Sequence, residues 1–306
     1  MEFRKQLQIT LDELMEKDDK IVVLDADLSK PNGTAPLYKK YPNRCFNVGL
    51  CEQNMIGIAA GLSAYGFKPI VVTFTPFATR RVCDQIAISV AYAKNNIVIL
   101  GTDPGITAEL NGGTHMSMED IGVMRSIPTM VIYDAVDYKQ LGQALPQIFE
   151  FDGPVYIRMP RKERPDVFDE NYEFELFKSD VLKEGKDVTI IASGTMVHTS
   201  LEAAHDLSSE GIDVEVISLN TIKPLDKDTI LKSVKKTNRV ITCENHNIYG
   251  GVFGAISELL CEEYPVKVTP IGVKDEFGQV GKYNDLAKYY HMTKDDIVKV
   301  IKNEKK

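Results

Sequence analysis

Residues 47–62 read NVGLCEQNMIGIAAGL, and both the fold and the chemistry turn on them. The short apolar run at 46–50 reads as the end of a buried strand, which Glu52, Gln53 and Asn54 interrupt. The Met-Ile-Gly-Ile-Ala-Ala-Gly-Leu that follows is a helix rich in small residues, which let another backbone come close. That composition predicts a helix packed on all sides, with Glu52 at its start. The helix dipole favours a carboxylate there and desolvation penalises it. On these residues alone two readings stay open. One is a capping or ion-paired glutamate; the other is a carboxyl group that shares a proton with a ligand nitrogen.

Working outward, strands and helices alternate. IVVLDA at 21–26 is a strand, and the polar loop 27–33, carrying Asp27, follows at its carboxyl end. In an open α/β sheet such loops line the ligand crevice. PIVVTF at 69–74 is a second buried strand, and Thr75-Pro76-Phe77 turns the chain into a helix predicted over 78–93, with Arg80 and Arg81 near its start. After a strand at 97–101 comes TDPGITAELNGGTHMS, 102–117, a polar Gly-rich loop of a length that is usually functional. A helix from 118, a strand at 130–133, a helix at 138–149 and a strand at 154–158 complete the pattern. It predicts an α/β fold with a doubly wound, mostly parallel sheet. The charged stretch 160–186 reads as a connection. A second α/β unit follows, with strands near 188–193, 214–219, 239–244 and 266–271. The expected division is 1–165, a linker 166–184, and 185–306.

Composition limits the function. Hydrophobic content of 43% and charged content of 26% are ordinary for a globular protein, and a net charge of −8 argues against a nucleic-acid partner. No apolar run approaches the ~20 residues of a membrane span. The charged amphipathic start, with Leu7, Leu11 and Leu14 on one side, has no secretory h-region, which points to the cytoplasm. The basic tail from Lys299 reads as a solvated helix end. None of the five cysteines forms a CxxC, so zinc is not expected; they read as reduced core thiols, Cys51 among them. His246, at a strand end, is expected to be structural or at an interface, and His198, His205 and His291 to lie on the surface.

Four features project from the carboxyl side of strands in the first domain: the Asp27 loop, Glu52, the pair Phe74 and Phe77, and the loop ending in His115. The two phenylalanines lie three apart around a turn. They are adequate as core residues, and beside a buried glutamate they can also stack on a flat heteroaromatic. NVGLCEQNMIGIAAGL, TFTPFATRR and NGGTHMSMEDIGVMRSIP resemble the pyrimidine-binding domain of transketolases, and the resemblance continues through the second domain.

The resemblance implies a thiamine diphosphate enzyme whose magnesium site uses a GDG motif, and no GDG occurs here. The chain is therefore similar to the C-terminal subunit of a split transketolase, with magnesium and diphosphate held by an N-terminal partner subunit in an α2β2 assembly. By the same resemblance, Glu52 hydrogen-bonds the aminopyrimidine, Phe77 and Phe74 stack on it, and Asp27 makes a cofactor-side or subunit contact. His115 contacts the sugar's hydroxyl or carbonyl oxygen. The implied activity is transfer of a two-carbon ketol unit from a ketose to an aldose.

Several positions depart from the family pattern. Arg161 matches an arginine that binds the sugar's terminal phosphate, but Pro31 stands where a serine is expected, Asp103 where a histidine is, and Asn111 where an aspartate is. Arg80 stands where split transketolases often carry glycine. An aspartate ~5 Å from a phosphate costs about 3 kcal/mol per charge pair at an effective dielectric of ~20. One expectation is that Arg80 and Arg161 bind a relocated phosphate or another anion such as a sulfonate, with Asp103 accepting from a hydroxyl. The other is a slipped alignment in this loop, or phosphate contacts supplied by the partner. The rival readings are the β subunit of a 2-oxo acid dehydrogenase and a non-catalytic α/β binding module.

Overall fold

The computed structural model describes residues 1–303; residues 304–306 of the basic tail lie outside the described residues. Two compact units emerge, one made of 1–104 with 123–176 and the other of 105–122 with the chain from 177 onward. The long loop after residue 104, which sequence order placed with the first domain, thus makes its contacts with the second unit.

The elements of the first part of the chain are α1 (Phe3–Lys17), β1 (Ile21–Asp25), α2 (Ser29–Asn32), α3 (Ala35–Lys40), β2 (Cys45–Asn47), α4 (Glu52–Ala64), β3 (Lys68–Phe74) and α5 (Thr75–Ala78). After them come α6 (Cys83–Gln85), β4 (Val98–Thr102), α7 (Asp120–Arg125), β5 (Val131–Asp134), α8 (Tyr138–Glu150) and β6 (Val155–Met159). Within this unit the strand order is β5-β6-β4-β3-β1-β2, and every neighbouring pair is parallel. β1, β4, β5 and β6 are buried along their whole length, as strands covered by helices on both faces must be. α1 packs against α8, and its buried apolar residues, Phe3, Leu7, Leu11 and Met15, fall at i, i+4 spacing, with Met15 in the place expected for Leu14.

Three local expectations are corrected. β2 is a short edge strand that ends at Asn47, and Phe46 and Leu50 are exposed, so 46–50 is not a buried run. α4 buries only Glu52, Met55, Ile56, Ala59 and Ala60; its other face is open, and a Cβ added at Gly57 or Gly61 would meet nothing within 4 Å. Small residues permit close packing on every side without requiring it. The helix predicted over 78–93 is broken. Thr79 leaves helical geometry at φ −128°, ψ −89°, a 3-10 turn follows at Arg80–Val82, and Ile86–Tyr92 is π-helical.

In the second unit the elements are β7 (Asp180–Lys183), β8 (Val188–Ala192), α9 (Met196–Ser209), β9 (Val214–Ser218), β10 (Thr221–Lys223), α10 (Lys227–Thr237) and β11 (Val240–Asn247). α11 (Val252–Glu263), β12 (Val268–Val273), α12 (Tyr283–Tyr289) and α13 (Lys294–Asn303) follow. The sheet order is β12-β11-β8-β9-β7, parallel except where β7, a strand from the charged connection, joins β9 antiparallel. Among the described residues no helix is long and apolar enough to cross a membrane.

Candidate functional site

β3 ends at Phe74, and α5 follows directly with Pro76 in its first turn, where the fixed φ suits it. Thr75 and Thr79 lock this corner: the Thr75 hydroxyl donates to the Thr102 carbonyl at 2.9 Å, and the Thr79 hydroxyl to the Thr75 carbonyl at 2.7 Å. The Phe74 and Phe77 rings therefore share one side of the turn, 6.1 Å apart and inclined at 36°.

Each ring carries an arginine, and each arginine is held by a buried carboxylate. Glu52, the first residue of α4, is 3% exposed, and its Oε1 accepts from Arg81 Nη1 at 2.7 Å. The same guanidinium lies 3.7 Å from the Phe77 ring centre. On the other side Arg161 lies 4.6 Å from the Phe74 ring centre and donates from Nε to Asp103 Oδ2 at 2.6 Å. The Arg161 backbone N–H donates to Asp103 Oδ1 at 2.8 Å. Asp103 follows β4 in left-handed backbone geometry, φ 54°, with its own N–H on the Met159 carbonyl. Burial pushes its carboxyl above the usual range, against the pull of the Arg161 charge. Glu52, Arg81, Phe77, Phe74, Arg161 and Asp103 thus form one continuous line of contacts. Of the two readings of Glu52, the ion-paired one describes this state. Arg81 is the member that sequence reasoning passed over, because 29 residues separate it from Glu52.

Arg80 is exposed in the 3-10 turn next to Arg81. Asp27 is exposed at φ 60° and locked to Asn47, which accepts its N–H at 3.0 Å and donates to its Oδ1 at 3.3 Å. Two residues earlier, Asp25 ends β1 fully buried and was not singled out. Burial raises its carboxyl to about 6, while hydrogen bonds from Thr34, Tyr38 and Asn32 pull the other way. The signal was present: Asp25 is the one charge in an otherwise apolar strand.

Asn111 and His115 belong to the second unit. Asn111 is exposed at the end of a 3-10 stretch, Gly105–Asn111; His115 is partly exposed, with Nδ1 2.9 Å from the Thr114 hydroxyl. The end of β11 grips their loop. Asn245 Oδ1 accepts from Ile106 N–H at 2.9 Å, His246 Nε2 from Ile121 N–H at 3.1 Å, and Asn247 N–H donates to the Met118 carbonyl at 2.8 Å. His246 is fully buried, and His205 and His291 are exposed. Of the thiols only Cys45 and Cys243 are buried, and Cys51, expected in the core, is exposed.

The family model for the pyrimidine-binding domain of transketolase matches residues 1–166, and that for the transketolase C-terminal domain matches 178–297. The chain belongs to the transketolase family. It spans the pyrimidine-binding and C-terminal domains of that architecture. A 6-deoxy-6-sulfo-D-fructose transketolase subunit of Clostridium sp. (strain MSTE9) is 49% identical over 287 residues, 94% of this chain and 89% of that protein. A putative transketolase C-terminal section of Methanocaldococcus jannaschii is 41% identical over 306 residues, 99% and 96% of the two chains. A solved split-gene transketolase, an inactive β4 tetramer, superposes with a TM-score of 0.92 at 40% identity, covering 99% of this chain and 98% of that one.

Proposed function

We propose that this chain is the C-terminal subunit of a split transketolase, working in an α2β2 complex with a diphosphate-binding subunit, and that its ketose donor ends in a sulfonate. The observation that carries the cofactor reading is the Arg81 guanidinium. This flat, nitrogen-bearing group stacks on Phe77 and donates to Glu52, the two contacts that the face and ring edge of an aminopyrimidine would make. The residues therefore fit the pyrimidine end of thiamine diphosphate. Among the described residues there is no group of three or more His, Cys, Asp or Glu placed to hold a metal ion. The resemblance assigns that site to the partner.

Thiamine diphosphate, when bound, supplies the electron sink for the two-carbon unit. Glu52 holds a proton at the pyrimidine ring nitrogen, and its burial keeps water from competing for that position. Phe77, backed by Phe74, fixes the plane of the ring. His115 holds the sugar's hydroxyl and moves a proton to or from its oxygen. Arg161 binds the terminal anion. The sulfonate reading is supported by the relative named for a sulfo-sugar and by the neutralising partner that Asp103 gives Arg161. A partner subunit is favoured by the open face of α4, where Gly57 and Gly61 leave room for a second backbone.

The test is co-expression with the GDG-bearing partner and assay of two-carbon transfer from 6-deoxy-6-sulfofructose to an aldose phosphate, with and without thiamine diphosphate. Cofactor-dependent transfer is expected. Robust preference for xylulose 5-phosphate would overturn the sulfonate donor, and decarboxylation of 2-oxo acids instead of ketol transfer would overturn the transketolase reading.

A further inference from the structure

Asp103 grips Arg161 along one edge only. Its Oδ2 takes the side-chain Nε at 2.6 Å and its Oδ1 takes the backbone N–H at 2.8 Å. The two terminal guanidinium nitrogens carry no hydrogen bond to protein among the described residues, and the guanidinium carbon lies 4.6 Å from the Phe74 ring centre. The carboxylate is 3% exposed, so little water screens its charge from whatever meets Arg161. Arg4 and Arg164 also lie in its field. The Arg4 guanidinium is itself paired with Glu2, at 2.8 and 3.1 Å.

We infer that Asp103 sets the charge preference of the sugar-tail site: it presents the terminal nitrogens of Arg161 to a monoanionic tail and repels the second charge of a dianionic one. The inference rests on the transketolase reading above. A sulfonate carries one charge at every working pH and offers oxygens to a pair of parallel N–H donors. A phosphate monoester takes its second charge near pH ~6 and carries about −1.5 to −2 at neutrality. Against an Arg–Asp pair of zero net charge, the first charge is held by oriented donors and the second meets only the carboxylate. Asp103 is thus a positioning residue for Arg161 and a specificity determinant for the tail.

The test uses the two-subunit complex with thiamine diphosphate and magnesium. kcat/KM is measured for 6-deoxy-6-sulfofructose and for fructose 6-phosphate from about pH 5.5 to 8, a range that spans the second phosphate ionisation. Erythrulose, which has no anionic tail, serves as the common denominator. In the wild type the sulfonate-to-phosphate ratio is expected to climb with pH as the phosphate gains its second charge. Asp103→Asn is expected to lower that ratio by on the order of tenfold at the high-pH end and to flatten or reverse its slope. A mere scaffold for Arg161 would lower both donors together and leave the slope alone, which would overturn the inference. If Asp103→Asn fails to fold, Asp103→Ser, an uncharged acceptor, asks the same question. Absence of erythrulose transfer in the wild-type complex would defeat the transketolase reading itself; transfer with an unmoved ratio would defeat only the charge assignment.

Discussion

Arg81 places Nη1 2.7 Å from Oε1 of Glu52 and stacks the same guanidinium on Phe77. Glu52 is buried while 45% of the Arg81 side-chain surface is exposed, so the arginine reaches in from solvent to a carboxylate that needs a partner. A ring that stacks on Phe77 and bonds Glu52 must first displace it. On the proposed reading, the contact would stabilise the chain without cofactor and oppose loading.

Arg81→Ala should therefore act in opposite directions on the two states. Without cofactor, Glu52 loses a charged donor, and the complex should lose about 1–2 kcal/mol of stability. With the competitor gone, thiamine diphosphate should bind on the order of tenfold more tightly, equivalent to about 1.4 kcal/mol. Calorimetric titration and melting curves with and without cofactor check both. Weaker cofactor binding would mean that Arg81 belongs to the cofactor's own contacts.

Glu52→Gln keeps the side chain's size and its ability to hydrogen-bond but removes the proton-accepting carboxylate. Loss of a positioned acid–base group typically costs 10²–10⁴ in rate, roughly, and transfer should fall by that much at saturating cofactor. Cofactor affinity should change little, because stacking on Phe77 persists. Single-turnover transfer beside a cofactor titration separates the two effects; undiminished transfer would remove Glu52 from the chemistry.

How much of this was legible depended on distance along the chain. The buried strands of both sheets were readable because most are runs of about five apolar residues between turn signals; the short strands β7 and β10 carry no such run and were not anticipated. The Phe pair was readable because three positions around one turn place both rings together. Arg81 and Glu52 meet only through the tertiary fold, and no local pattern announces a contact between residues 29 apart. The break at Thr79, which lets Arg81 lie back over Phe77, is hidden in a stretch whose residues suit a continuous helix. Composition likewise could not tell a helix packed all round from one, like α4, that covers a single face. Asp25 was legible in principle, as a charge that ends an apolar strand.

Asp25 predicts an acid-side stability window. Its folded-state pKa of about 6 lies above the ordinary 3.8, so between those values the folded protein holds a proton that the unfolded chain has lost. Stability from this group is fully present below the unfolded value, falls as pH rises through the window, and is flat above it. The full span amounts to roughly 3 kcal/mol. Asp25→Asn should gain stability relative to wild type as pH rises from about 4 to 6 and hold a constant difference beyond. Urea unfolding of both proteins across that range measures it; a pH-independent difference would show that Asp25 does not titrate there.

Asn245 predicts that the second unit governs the loop bearing Asn111 and His115. Its Oδ1 accepts from the buried Ile106 N–H at 2.9 Å, and a Cβ added at Gly105, φ 53°, would lie 2.2 Å from that oxygen, so the loop's entry fits against this one amide. Two further grips at Ile121 and Met118 hold the exit. Asn245→Ala leaves the Ile106 donor buried without its acceptor, at a cost of about 1–3 kcal/mol. Local opening should become on the order of 10–100 times more frequent, read as faster amide exchange over 105–121 than in wild type. Asn245→Asp, which keeps an acceptor at the same reach, should restore much of the protection. With His115 on the loosened segment, kcat should fall while thiamine diphosphate affinity stays near wild type. Unchanged exchange over 105–121 in Asn245→Ala would show that the loop is ordered by something other than this amide.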